Sequence, residues 1–214
     1  MENICLIAVS VVTKWIKTIS GLFRREQEVK RTDTASVKPA TPSTSNNPLP
    51  NPAIPPPKPT KEQEFVKALG IAVTDGYDPL IPYTQAYLET SNFKHLVGDW
   101  NYFGMKPPRS WQGKVIKIKT QEYDKQYHTI YDYFCDFANA EDCVKFYISQ
   151  IKRLYPESYK NRQDAQLYFW GLTRWRYKWA SDPSYSEKLI KLYANLKSFG
   201  NGIYEEILDK INKI

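Results

Sequence analysis

The sequence predicts an α+β domain, and three observations carry that prediction. From Lys61 onward, apolar residues recur at helical spacing in segment after segment. One stretch, residues 114–123, alternates with the period of a strand instead. The segment before Lys61 is rich in Pro and Ser and reads as a tether rather than part of a core.

The first element is Ile4 to Phe23, where Ile4, Ile7, Val11, Trp15, Ile19 and Leu22 fall on one helical stripe. Twenty helical residues reach about 30 Å, enough to cross a bilayer. Lys14 and Lys17, however, would each cost about 2.5–3.5 kcal/mol near mid-membrane. Glu2 replaces the basic start of a signal peptide, and the positive charges follow the apolar run. Residues 1–30 are therefore read as an amphipathic anchor helix that lies on a membrane surface or docks into a larger assembly. A weak signal anchor and a helix packed on the protein's own domain are the alternatives. Residues 31–60, with "VKPATPSTSNNPLPNPAIPPPKPT", form a Pro-rich linker that favours extended polyproline conformations.

The domain occupies residues 61–214. "KEQEFVKALG" predicts a first helix ended by Gly70, and "DPLIPYTQAYLET" a second, with Asp78 capping and Pro79 at its first position. In "KVIKIKTQEY", Ile116, Ile118, Thr120 and Glu122 face one way; "HTIYDYFCDF" is the partner strand, with "DKQY" as the turn. Helices return at "NAEDCVKFYISQIKRL", capped by Asn139, at "RQDAQLYFWGL", and at "SDPSYSEKLIKLYANL", where Asp182-Pro183 is a start signal. A last amphipathic helix, Ile203 to Ile211, closes the chain. Helices around one hairpin give the α+β class.

Net charge is +7, but residues 1–60 carry +4 of it, leaving +3 for the 154 residues of the domain. A basic nucleic-acid face is thus poorly supported, and no nucleic-acid partner is expected. Cys5, Cys135 and Cys143 contain no C-x-x-C pair, and His95 and His128 are the two histidines, so neither a metal site nor a cofactor is expected. Cys135 and Cys143 read as free thiols more readily than as a bridge.

Two carboxylates stand out. Glu122 shares a strand face with Ile116 and Ile118 and so points inward, which is costly unless the group is paired or wetted by a cleft. Glu89 closes an apolar helix, where the macrodipole disfavours negative charge and raises its pKa. Two carboxyl groups in unlike surroundings are what glycoside hydrolysis needs: one protonated donor, one anion. The bland alternative makes Glu89 a solvated helix end and pairs Glu122 with a strand lysine. Trp100, Tyr102, Phe103, Trp111, Tyr123 and Trp179 shift the balance, because flat aromatic faces suit the C–H faces of sugar rings.

Six blocks occur in order: Gln85-Ala86-Tyr87-Leu88-Glu89-Thr90, Asn101-Tyr102-Phe103-Gly104-Met105-Lys106, Trp111-Gln112-Gly113, Thr120-Gln121-Glu122-Tyr123, Phe134-Cys135-Asp136-Phe137, and the run from Trp179 to Lys188. Together they resemble the glucosaminidase peptidoglycan hydrolases, glycoside hydrolase family 73, across about residues 62–197. The resemblance implies a lysozyme-like fold, with a mainly helical lobe, a small β-hairpin lobe and a groove between them. It implies that residues 61–214 are the catalytic domain, with Glu89 as general acid and Glu122 as the second carboxylate. Glu122 would serve as base, or the substrate's own N-acetyl group would assist in its place. Asn101, Phe103, Trp111, Tyr123, Trp179 and Asp182 are the implied substrate-binding residues. The implied partner is the peptidoglycan glycan strand, cut after N-acetylglucosamine by a wall-lytic enzyme, with a phage endolysin or virion-associated enzyme as one setting. A lytic transglycosylase or muramidase of the same fold and an inactive glycan-binding or virion module are the competing readings. Two departures bear on the site: Ser91-Asn92-Phe93 replaces the usual Gly-Trp-Gly after the acid, and Trp179 stands where the family commonly has Tyr.

Overall fold

The computed structural model describes residues 57–124, 126–174, 177–199 and 202–212, with the side chains of 121–128, 199, 203 and 212 outside that description. The anchor helix and the linker up to residue 56 also lie outside the described residues. Among those described, seven helices surround one antiparallel hairpin, which is the predicted α+β class.

Helix α1, Lys61–Thr74, opens on a capping box in which the Thr60 hydroxyl accepts from the Gln63 amide and the Gln63 side chain accepts from the Thr60 amide. It buries Phe65, Leu69 and Ala72, one stripe along its length. Gly70 does not end it. Burial of Ala72 rewards one further turn, and the chain breaks instead at Gly76, whose φ of +82° suits glycine. Helix α2, Leu80–Glu89, is buried on nearly every side through Ala86 and forms the central element of the core. The Asp78 carboxylate accepts from the Leu80 amide, as its capping role predicts.

Strands β1, Lys114–Asp124, and β2, Gln126–Asp136, pair from Lys114↔Asp136 to Asp124↔Gln126. The expected four-residue turn is shorter, because the ladder runs out to residues 124 and 126. Alternation holds: Ile116, Ile118, Thr120 and Ile130 are partly covered, while Val115, Lys117, Lys119, Tyr131 and Tyr133 are exposed. The hairpin is fastened at its base, where the Cys135 amide donates to the Met105 carbonyl (2.9 Å) and Lys106 pairs with Asp132.

Helix α3, Ala140–Leu154, is capped by Asn139, whose side chain accepts from the Asp142 amide at 2.8 Å. It packs on α1 and buries Cys143, Val144, Tyr147, Ile148 and Ile151. A short α4, Pro156–Lys160, intervenes before α5, Ala165–Arg174; sequence periodicity does not register five residues. Helices α6, Tyr185–Phe199, and α7, Ile203–Asn212, complete the body, with α6 packed against both α2 and α5. Cys135 and Cys143 are buried free thiols.

Candidate active site

Glu89 is the last residue of the central helix, and the packing of that helix decides its surroundings. Its Oε1 accepts two hydrogen bonds, from the Trp179 indole N–H (3.0 Å) and from the Tyr185 hydroxyl (2.5 Å). Oε2 has no hydrogen-bond partner among the described residues. Glu89 as a whole is partly exposed, yet enough protein surrounds its carboxyl to desolvate it. That burial raises its pKa from 4.5 to about 7, working against the lowering effect of Tyr185 and Trp179. The direction expected from the helix dipole therefore holds, with burial as its main cause.

Behind Glu89 lies a run of buried polar groups. Gln85, one helical turn earlier and so on the same face, donates through Nε2 to the Tyr185 hydroxyl at 3.3 Å. The Tyr147 hydroxyl donates to Gln85 Oε1 at 2.6 Å, and its other neighbour is the Tyr168 hydroxyl at 2.6 Å. The Tyr147 ring is stacked on Phe103, with centroids 3.8 Å apart and planes within 6°, and meets the edge of Trp179.

Just after Glu89 the backbone turns left-handed at three successive side-chain-bearing residues, Ser91, Asn92 and Phe93, with φ of +52°, +62° and +56°. Such a run is strained for L-residues. It is held by the Thr90 hydroxyl, which accepts from the Phe93 amide at 2.8 Å, and by the Phe93 ring, buried among Phe65, Tyr83, Tyr87 and Tyr102. Ser91, Asn92 and Phe93 thus build a left-handed turn of the kind glycine favours.

The sequence model of the Glucosaminidase family, described as mannosyl-glycoprotein endo-beta-N-acetylglucosaminidase, matches residues 67–198. The chain belongs to this family. It is 26% identical over 144 residues to the peptidoglycan hydrolase FlgJ of Vibrio parahaemolyticus, covering 64% of this chain and 44% of that protein. The chain thus spans less than half the length of this curated relative. Among solved structures, the glucosaminidase domain is similar to a peptidoglycan hydrolase from Sphingomonas sp. A1, with a TM-score of 0.52 at 22% identity, covering 68% of this chain and 93% of that one. It is also similar to the catalytic domain of the autolysin Auto from Listeria monocytogenes, with a TM-score of 0.51 at 21% identity, covering 71% and 91% respectively. At these identities the likeness shows the fold.

Of the predicted site residues, the structure brings Glu89 and Trp179 into contact. Others are placed differently in the glucosaminidase domain. Asn101 is 1% exposed and acts as a clamp: its amide donates to the carbonyls of Met105 (2.9 Å) and Cys135 (3.0 Å) and accepts from the Met105 amide (2.9 Å). Phe103, fully buried under Tyr147, supports the site from beneath. Neither offers surface to a ligand, because the Asn-Tyr-Phe-Gly block is used to fasten the hairpin to the helical body. Asp182 accepts from the Ser184 amide (2.9 Å) and pairs with Lys188 (2.5 Å), so it starts α6. Trp111 packs edge-on against Phe137 and Phe146 and folds over Gly113, where a Cβ would come within 2.5 Å of its ring. It borders a cavity of about 630 Å³ with Lys114, Asp136 and Lys145, and Glu89 is not among the walls of that cavity. Glu122 pairs with His128 in the backbone register of the hairpin, and its side chain and that of Tyr123 fall outside the description. Sequence reasoning passed over Gln85, Tyr147 and Tyr185 as chemistry. The signal for Gln85 was present in its four-residue spacing from Glu89.

Proposed function

We propose that this glycoside hydrolase cuts the glycan strand of peptidoglycan after N-acetylglucosamine, with Glu89 as the proton donor. The observation that supports the reading is the Glu89 carboxyl itself: desolvated, held on one oxygen by Trp179 and Tyr185, with a pKa pushed up to about 7. A carboxyl with a pKa of about 7 keeps a large protonated fraction near neutral pH, which suits a general acid. Neutral Glu89 hands its proton to the glycosidic oxygen as the bond to the anomeric carbon lengthens, which stabilises the departing alcohol. The positive charge that develops on the sugar is met by Glu122 acting on water or by the substrate's own N-acetyl group.

The relatives named as peptidoglycan hydrolases are in accord with this substrate, and a cell-wall or periplasmic place of action goes with it. Residues 1–60 complete the proposal as anchor and tether, which fractionation of the chain with and without residues 1–30 checks. The test of the chemistry is Glu89→Gln in the full-length protein. It should abolish clearing of purified sacculi while leaving their binding intact, and the wild-type products should carry the added mass of water. Clearing at the wild-type rate by the variant would remove Glu89 from the role. Anhydro products would replace hydrolysis with transglycosylation.

A further inference from the structure

The buried polar run behind Glu89 has a direction. A hydroxyl–oxygen contact settles near 2.7 Å and an N–H···O contact nearer 2.9–3.0 Å. The 2.6 Å separation between Tyr147 and Gln85 and the 3.3 Å separation between Gln85 and Tyr185 therefore place the amide oxygen toward Tyr147 and the nitrogen toward Tyr185. Tyr147 has a single proton and it goes to Gln85, so in the pair with Tyr168 it is Tyr168 that donates. Tyr185 likewise gives its one proton to Glu89 and accepts from Gln85. Every link points the same way: Tyr168 to Tyr147, Tyr147 to Gln85, Gln85 to Tyr185, Tyr185 to Glu89. Beyond Tyr168 stands the buried Tyr77 hydroxyl, with no hydrogen-bond partner among the described residues, its ring edge-on to that of Tyr168.

We propose that Gln85, Tyr147 and Tyr168 are positioning residues that hold Glu89 Oε1 as an acceptor and thereby reserve Oε2 for the proton delivered to substrate. The proposal rests on the glycosidase reading for its consequence in catalysis, but the chain of donors is measurable apart from it. Turning the Gln85 amide over would face its oxygen to Tyr185, draw that hydroxyl's proton away from Glu89, and leave Oε1 free to hold the acid proton on the wrong atom. The Tyr147 hydroxyl opposes that turn, and the Trp179 indole, a donor with no acceptor, adds a second fixed bond to Oε1. Among the described residues, Trp179 and Tyr185 of α6 bond the Glu89 carboxyl, with Gln85 behind Tyr185 and Tyr147 of α3 beyond it. Burial drives the ionisation of Tyr147, Tyr168 and Tyr185 well above the usual phenol range, so all three stay neutral donors while Glu89 titrates.

The test is Tyr147→Phe, which keeps the ring stacked on Phe103 and removes only the donor. Carbon-13 titration of the Glu89 carboxyl in the full-length protein, assigned with Glu89→Gln, should show its midpoint rising by roughly half a unit as Oε1 loses support. On sacculi the variant should lose several-fold in kcat with KM little changed, and the basic limb of its pH profile should move upward with the titration. Tyr168→Phe, the milder change, should move the midpoint less, and should move it no further once Tyr147 is already Phe. An unmoved midpoint in both single variants would overturn the proposal, as would a Tyr168→Phe shift that persists undiminished in the Tyr147→Phe background. If the midpoint moves as described in a protein whose wild type cuts no glycan, the donor chain stands and the glycosidase reading falls.

Discussion

Glu89→Gln should make the protein more stable, and more so as pH rises. Burial lifts the folded-state pKa from 4.5 to about 7, with the Tyr185 and Trp179 bonds pulling the other way. The rise from 4.5 to about 7, at about 1.4 kcal/mol per pH unit, is worth about 3–4 kcal/mol, a ceiling because Glu89 keeps some exposed surface. Since the folded value is the higher one, the neutral acid costs nothing extra below pH 4.5. Stability then falls as pH climbs from 4.5 to 7, and above pH 7 the folded protein carries the full penalty of a buried charge. Glutamine cannot ionise, yet its amide oxygen still accepts from the indole and the phenol. The assay is urea unfolding of wild type and variant at pH 4.5 and pH 8. Every other titrating group cancels in the difference, so the variant should match wild type at the lower pH and exceed it by up to about 3–4 kcal/mol at the higher. A difference that does not change with pH would refute the claim that burial governs this carboxyl.

The same shift predicts that kcat/KM on soluble glycan fragments declines about tenfold per unit above pH 7, as the proton-bearing form is lost. Ser91→Gly should raise the unfolding free energy by about 0.5–1 kcal/mol, because glycine adopts the φ of +52° without the clash that serine meets; calorimetry would read a higher Tm. Asn101→Leu should cost about 2–4 kcal/mol by stranding the Met105 amide and the Cys135 carbonyl, and hydrogen exchange should report a loosened hairpin base. Gly113→Ala should displace the Trp111 indole, whose ring lies 2.5 Å from the added carbon, and should change tryptophan emission.

Local pattern made much of this fold legible, and its failures have physical causes. Strict alternation from Lys114 to Thr120 placed the hairpin and its covered face, and Asn139 marked the start of α3 because its side chain satisfies a helix-end amide in either setting. Gly70 misled, because the one stop signal inside α1 is outweighed by the apolar surface its last turn buries. At the site, the direction in which the Glu89 carboxyl shifts was legible and much of what holds it was not. Tyr147 lies on the apolar stripe of α3, and periodicity reads such a residue as core without saying where its hydroxyl points. Asn101 and Phe103 are substrate-binding residues by the family resemblance, which carries no burial; in the fold, long-range pairing to Met105, Cys135 and Tyr147 turns both inward.

The two donors on Glu89 come from positions 90 and 96 residues downstream, close to the end of the folding unit. During synthesis, therefore, the acid leaves the ribosome long before its support does. A nascent or proteolytically clipped chain that stops short of Trp179 has Glu89 without the indole and the phenol that bond its Oε1. On the role proposed for Glu89, a chain cut before Trp179 would keep the carboxyl and lose both donors that hold it.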